Sequence, residues 1–371
     1  MSGGVDSSVA AALLHQQGWD VVGMTMKTWD YASSGGSKKE TGCCSLDSIN
    51  DARALAVELG FPHYIIDIRE EFGDHVIDNF VEEYLAGRTP NPCVMCNTHI
   101  KWEALLRRAD KLGCDWIATG HYAQVRERNG RHVVSRGLDA HKDQSYVLWG
   151  VGQDCLRRTM FPVGGFRKDE IRQMCADLGF ARLAAKAESY EICFIPDNDY
   201  RGFLGRRAPE RLAALAQGTL VTTDGRRVGT HHGYPFFTIG QRKGLPALGK
   251  PFYVTAIDPL TNTVTIGSEE DLAHSSLSVR GVNLQKYASI PETGLQTLTK
   301  IRYKDGGTPA WVYPTADPNR VRVVFAEPVK AATPGQSAVF YDGEDFQDVI
   351  GGGWIDQVGP PAVAGPALAG F

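Results

Sequence analysis

The segment Ser2-Gly3-Gly4-Val5-Asp6-Ser7-Ser8 restricts the fold more than any other stretch of the chain. It places two adjacent glycines, an acid and several hydroxyls directly before an apolar helical run, Val9, Ala10, Ala12, Leu13 and Leu14. Glycine permits backbone turns that a Cβ forbids. Such a turn can aim consecutive N–H groups at one anion, and a helix N-terminus behind it adds partial positive charge. The natural guest is a phosphate. An ordinary glycine-rich turn capping a helix is the other reading. The loop lacks the lysine of a Walker A motif and is therefore a different kind of phosphate loop.

Beyond the loop, strands alternate with helices. A buried strand over 21–26 is followed by a helix over 47–59, capped by Asp47 or Ser48 and ended by Gly60. A strand over 64–68, a helix over 76–85 stopped by Gly87, a helix over 100–112 and a strand over 116–118 come next. This alternation predicts an α/β fold with a doubly wound parallel sheet, whose ligands gather at the C-terminal strand ends. A phosphate loop of this kind hangs from a central strand of about five or six apolar residues. Only Met1 precedes the motif. The expectation is therefore that the native product starts upstream, since losing a central strand leaves a core slot unfilled and two edges bare.

The pattern changes after about residue 196. From 195 to 250 there are nine Lys or Arg against four Asp or Glu, interleaved with Tyr200, Phe203, Tyr234, Phe236 and Phe237. That composition suits an RNA-facing surface or a solvated basic loop region. Beyond 275, β-rich runs at 277–284, 295–303, 310–313, 320–325 and 337–341 alternate with Gly and Pro and predict a small barrel. The expected division is a catalytic domain over 1–206, a small β-rich central domain over 207–270, a C-terminal β-barrel over 271–358 and a loose tail over 359–371.

Length and charge bound the function. A chain of 371 residues can bury a sizeable core in two or three domains. A net charge of −4 argues against indiscriminate nucleic-acid binding but leaves room for a local basic face. There is no membrane-span-length apolar run and no signal peptide ahead of the loop, so a soluble cytoplasmic protein is expected. Eight cysteines are too few for a disulfide scaffold in a chain this long. Cys175 lies on a helical apolar face and Cys114 precedes a strand; both read as core, and Cys155 gives no signal.

Two cysteine stretches stand out. In Pro90-Asn91-Pro92-Cys93-Val94-Met95-Cys96-Asn97 two prolines stiffen a turn that presents Cys96 just ahead of a helix, where a thiol is a better nucleophile. The same C-x-x-C suits a redox pair or half of a zinc site. In Ser189-Tyr190-Glu191-Ile192-Cys193-Phe194-Ile195, Cys193 lies in an apolar, strand-like run and by itself reads as a buried core thiol.

The opening loop resembles that of the N-type ATP pyrophosphatases, which split ATP between the α and β phosphates and adenylate a carbonyl oxygen. The chain as a whole resembles the tRNA-specific 2-thiouridylase family. The resemblance rests on MSGGVDSS, GCCSLDSINDAR, TPNPCVMCN, IATGHYA, GLDAHKDQSYVL, ESYEICFI, TIGQRKGL, IRYKDGGTPA, ATPGQ and GGGWI, in order over nearly the whole length. It implies ATP-dependent thiolation of C2 of wobble uridine, with AMP and pyrophosphate released, Mg²⁺ on the phosphates and sulfur relayed from a persulfide donor protein. It also implies no membrane, a single-chain monomer, and roles at matching positions. Met1, Ser2, Gly3, Gly4, Val5, Asp6 and Ser7, with Met26 and Gly120, would bind ATP. Asn91, Pro92 and Cys93 would cradle the base. His121, Lys142, Asp143, Gln144, Arg302, Tyr303 and Gln336 would touch tRNA. Cys96 would be the nucleophile and Cys193 the persulfide carrier.

The chemistry suits these residue types. A uridine C2 carbonyl is a poor electrophile until its oxygen is adenylated. Sulfur then arrives from a Cys193 persulfide directly, or as sulfide after Cys96 attacks that persulfide and leaves a Cys96–Cys193 disulfide. Many bacterial members carry Asp where this chain has Cys93. The three thiols Cys93, Cys96 and Cys193 could instead hold a [4Fe–4S] cluster with one open iron. Cys43-Cys44 matches the family without an assigned role. Two competing readings remain. A small-molecule synthetase of the pyrophosphatase group would not need the distant thiols or the basic β-rich half. An RNA-binding protein stapled by zinc would not need the phosphate loop.

Overall fold

The computed structural model describes residues 1–29, 45–187, 192–342 and 347–359. Cys43, Cys44, the residues 188–191 and the tail beyond 359 lie outside them. The chain forms two compact units, Met1–Ile77 with Pro92–Phe203, and Asp78–Asn91 with Leu204–Phe371.

In the first unit, α1 (Val5–Gln16) begins inside the glycine loop, with Gly4 as its extended N-cap. Its small side chains are buried along most of its length and pack with Leu55, Ala56, Phe61 and Ile171. β1 (Gly23–Lys27) pairs in parallel with β2 (His63–Asp67), Gly23 opposite His63 and Lys27 opposite Asp67. Between them runs α2 (Leu46–Leu59). Its cap is Ser45, whose Oγ accepts the Ser48 N–H at 3.2 Å. Ser48 is thus the third helical residue, which supplies the capped N–H rather than the cap. Gly60 ends the helix in left-handed backbone, as its position predicts.

The next helical stretch, 69–85, is π-helical over Gly73–Ile77, and its last part, α3 (Asp78–Leu85), belongs to the second unit. The following helix, α4, starts earlier than periodicity predicts. It runs continuously over 92–111 as an α-helical turn Pro92–Met95, a π-helical stretch Cys96–Ala104 and an α-helical end Leu105–Lys111. Proline is well suited to open a helix, having no N–H to satisfy there. β3 (Ile117–Ala118) pairs in parallel with β6 (Thr159–Met160). Between them in sequence lies a hairpin, β4 (Ala123–Arg128) and β5 (Arg131–Arg136), beyond the predicted alternation of strands and helices. Its signal was Asn129-Gly130, both at positive φ, the combination that two-residue hairpin turns favour. α5 (Lys168–Asp177) and α6 (Ala181–Ala184) complete the unit. The α/β architecture is thus present as two parallel pairs flanked by helices. Among the described residues no strand joins β1 to β3. The Met1 amino group donates to the Met24 carbonyl, and Thr25 Oγ1 donates to the Met1 carbonyl at 2.7 Å.

The second unit holds a four-stranded sheet and a barrel. β7 (Gly218–Thr222), β8 (Arg227–His231), β9 (Tyr253–Asp258) and β10 (Thr263–Gly267) lie in the order β8-β7-β10-β9. β11 (Ala273–Leu284), β12 (Leu295–Lys300), β13 (Thr308–Pro314), β14 (Arg320–Lys330), β15 (Ser337–Asp342) and β16 (Val349–Val358) close a barrel around Leu277, Val279, Val323, Phe340 and Ile355. The last strand is not legible in the sequence because its glycines mask the alternation. The inserted segment 78–91 is gripped from within this unit. Tyr234 donates to the Leu85 carbonyl at 2.5 Å, and Arg88 and Arg280 reach Glu83 at 2.6 and 3.3 Å. The Thr89 N–H donates to the Pro334 carbonyl at 2.8 Å. Gln336 Nε2 donates to the carbonyls of Thr89 and Pro90 at 3.1 and 2.9 Å.

Candidate active site

The glycine loop is built as a compact turn. Gly3 sits at φ +64, and a Cβ there would fall 2.0 Å from the Ser48 carbonyl oxygen, so only glycine fits. The Ser2 N–H donates to Ser7 Oγ at 3.0 Å, and Ser7 Oγ donates to the Gly4 carbonyl at 3.2 Å. Lysines absent from the motif arrive from elsewhere in the chain. Lys168 Nζ, near the start of α5, lies 2.6 and 2.8 Å from the Asp6 carboxylate oxygens, and Tyr122 donates to the same carboxylate at 2.7 Å. Lys186 Nζ donates to the Gly3 carbonyl, Ser48 Oγ and Asp51 at 2.9, 3.0 and 3.0 Å. No local pattern announces either lysine, because each contact spans more than 130 residues. Met26 lies half-buried on β1.

The segment Thr119-Gly120-His121 passes against this loop. A Cβ on Gly120 would fall 2.5 Å from the Ser7 nitrogen, which explains the glycine. His121 is buried beside Trp102 and Phe161. Its Nδ1 meets Thr119 Oγ1 at 2.7 Å, and its Nε2 meets Lys101 Nζ at 3.3 Å. Burial, and then the Lys101 charge, hold its pKa well below the ordinary histidine value. The ring is therefore neutral, with Nε2 accepting from Lys101 and Nδ1–H donating to Thr119.

Lys101 stands on α4, which also carries Cys93 and Cys96. The structure corrects the expected placement of Cys96. Because Pro92 opens the helix, Cys93 rather than Cys96 occupies the first turn, and Cys96 begins the π-helical stretch one turn on. Cys93 is exposed and Cys96 half-buried, both as thiols. The surrounding protein pushes the Cys93 thiol pKa up, while Lys101 pulls it back. Asn91 and Pro92 are half-buried.

Cys193 is corrected too. It is an exposed thiol on a turn closed by the Ile195 N–H to the Ile192 carbonyl at 2.9 Å, not a core residue in a strand. Its neighbour Phe194 takes the buried place, edge-on to Phe72 at 5.8 Å and tilted on Phe203 at 5.4 Å. Glu71, next to Phe72, pairs with Arg108 of α4 at 2.5 Å, so the turn and the thiol helix share a support. Among the described residues no group of three His, Cys, Asp or Glu side chains is arranged to hold a metal ion.

The residues assigned to tRNA by resemblance fall into two kinds. Asp143 accepts from Gly137 N–H, Ser145 N–H and Ser145 Oγ at 3.2, 3.1 and 2.8 Å, and Gln144 Oε1 accepts the Tyr122 N–H at 2.9 Å. Gln144 thus braces the Tyr122 backbone, and Asp143 ties Gly137 to Ser145. Gln336 likewise spends its amide on main chain. By contrast, Arg302 and Tyr303 are exposed, with Arg302 Nη2 donating to the Lys330 carbonyl at 2.8 Å, and Lys142 is half-exposed.

A phosphate loop at a helix start, backed by parallel strands and followed by two β-built regions, defines a nucleotide-binding α/β enzyme of the HUP class. Residues 1–197 match the family model described as tRNA methyl transferase HUP domain. Residues 202–268 and 277–355 match the accompanying PRC-barrel and aminomethyltransferase beta-barrel models. The chain is 61% identical over 356 residues to the tRNA-specific 2-thiouridylase MnmA of Cytophaga hutchinsonii, covering 96% of this chain and 95% of the relative. It is 60% identical to that of Amoebophilus asiaticus, with 96% and 93% covered, and 56% identical to that of Salinibacter ruber, with 97% and 94% covered. The chain belongs to the tRNA-specific 2-thiouridylase family. No helix among the described residues is long and apolar enough to cross a membrane.

Proposed function

We propose that the protein is an ATP-dependent tRNA 2-thiouridylase that adenylates the C2 oxygen of a wobble uridine and replaces it with sulfur. The observation that carries this reading is the contact between the phosphate loop and the Gly120–His121 segment, whose ring in turn meets the helix of Cys93 and Cys96. A loop suited to polyphosphate and a helix bearing thiols are thus tied together by one side-chain relay.

The loop from Met1 to Ser7 would hold ATP, with its N–H groups and the start of α1 on the phosphates. Mg²⁺ would come with the nucleotide and neutralise phosphate charge; the loop carboxylate of Asp6 is already held by Lys168 and Tyr122, so phosphate oxygens and water would be the ion's main ligands. The uridine oxygen attacks the α-phosphate and pyrophosphate leaves. Asn91, Pro92 and Cys93 would cradle the base, with Arg302, Tyr303 and Lys142 on the RNA. A donor protein loads Cys193, whose exposure on a turn suits that exchange. The terminal persulfide sulfur attacks C2 and AMP leaves; the Cys96 thiolate then attacks Cys193 Sγ, freeing the thiocarbonyl and forming a Cys96–Cys193 disulfide. Alternatively Cys96 attacks first and hydrosulfide is the nucleophile. Either way an external thiol must reduce the disulfide.

Purified protein, ATP and unmodified tRNA test the reading. AMP and pyrophosphate should form only with tRNA present, and sulfur should appear in the wobble uridine. ADP as the product would overturn it. A methyl transfer, which the family model's description names, would leave ATP uncleaved.

A further inference from the structure

Lys101 is a half-buried ammonium whose one hydrogen-bond partner among the described residues is the neutral ring of His121, at 3.3 Å. Among the described residues it makes no ion pair. A charge drawn partly out of water without a counter-ion is costly, and the cost is recovered when an anion arrives. Its position is not incidental. Ile100 and Trp102 on either side are fully buried, and Trp102 Nε1 donates to Thr159 Oγ1 at 2.7 Å, so the backbone carrying Lys101 is fixed. On one side of the ammonium is His121, reached from the phosphate loop through Gly120. On its own helix is Cys93, whose thiol feels the same charge. The cation therefore lies between the place where ATP phosphates would sit and the place where the base would sit.

We propose that Lys101 is a phosphate-binding residue of the reaction centre. The phosphate is either that of the adenylate or a phosphodiester of the RNA beside the target base. This inference rests on the thiouridylase reading, which supplies both anions. An ammonium at such a site favours the phosphate in the bound complex and leaves His121 neutral, since the imidazole accepts its proton only as a hydrogen bond.

The test uses full-length protein with Lys101→Met, Lys101→Gln and Lys101→Arg. ATP affinity is measured without tRNA, and affinity for an unmodified tRNA transcript is measured without ATP across a salt series. The Met and Gln variants should lose at least about tenfold in one of the two, and Arg should recover most of it. Loss on ATP identifies the adenylate phosphate. Loss on tRNA, with a flatter salt slope, identifies the phosphodiester. The Gln variant keeps a donor for His121, so it separates loss of charge from loss of packing if the Met variant melts early. Unchanged affinities for both ligands in a folded Gln variant overturn the proposal. Wild-type protein that binds neither ATP nor tRNA would instead sink the functional reading beneath it.

Discussion

Lys168 grips Asp6 across 162 positions of sequence, its Nζ 2.6 and 2.8 Å from the two carboxylate oxygens. Under the proposed function, a bare carboxylate in this loop would repel a polyphosphate guest. The ion pair, with the Tyr122 hydroxyl on the same carboxylate and the Lys168 ammonium 5.5 Å from the Tyr122 ring centre, neutralises it in place.

Lys168→Met should therefore cost about 1–3 kcal/mol of stability and weaken ATP binding roughly tenfold. Asp6→Asn in the Met background should restore part of the loss, because the orphaned charge is gone. Urea unfolding and ATP titration of Lys168→Met, Asp6→Asn and the double variant check this; additive losses would show that the pair is not coupled.

Cys96→Ser and Cys193→Ser should each abolish thiolation while leaving ATP affinity unchanged, since the phosphate loop is made by other residues. Cys93→Asp should stay active if the position only lines the base pocket. Quantifying 2-thiouridine in tRNA digests decides each case, and residual thiolation by either serine variant would remove that thiol from the mechanism.

His121 gives a pH dependence with a defined sign. Its folded pKa lies well below the unfolded value of about 6.5, so below that pH the unfolded chain binds a proton that the folded chain refuses. The stability it contributes is complete above about pH 6.5 and is lost as pH falls toward the folded pKa, by at most about 1.4 kcal/mol per pH unit. His121→Gln should flatten the slope of stability between pH 6.5 and 5. An unchanged slope would mean that the ring titrates freely.

Arg302 lies exposed on the turn after β12, with one arm on the Lys330 carbonyl. If it meets RNA phosphate, Arg302→Ala should weaken tRNA binding and reduce the salt slope by about 0.7–0.9. Filter binding from low to moderate salt reads both quantities; parallel lines for wild type and variant would take Arg302 out of the interface.

The sequence announced the glycine loop at a helix start, the α/β alternation and the barrel because each is carried by local periodicity or by a short run of special residues. It placed Cys193 wrongly for a physical reason. In Ile192-Cys193-Phe194-Ile195 several side chains are apolar enough for the core, and only the turn decides that Phe194 and Ile195 go inward. Cys96 shifted by one turn because Pro92 opens the helix instead of merely stiffening its approach. Gln336, Asp143 and Gln144 hold main-chain groups through partners distant in sequence or through turn geometry, and no local pattern announces those bonds. Lys101 had no motif, although its place between Ile100 and Trp102 was visible.

The grip of Gln336 on Thr89 and Pro90 also orders events in time. Those two carbonyls belong to the segment that leads into Cys93, and their partner is made almost 250 residues later. At ribosomal speeds of about 5–20 residues per second, the segment waits roughly 12–50 s for its hydrogen bonds. The run-up to the thiol helix is thus among the last parts of the newborn protein to acquire its partners, and synthesis must pass residue 336 before that approach can be fastened.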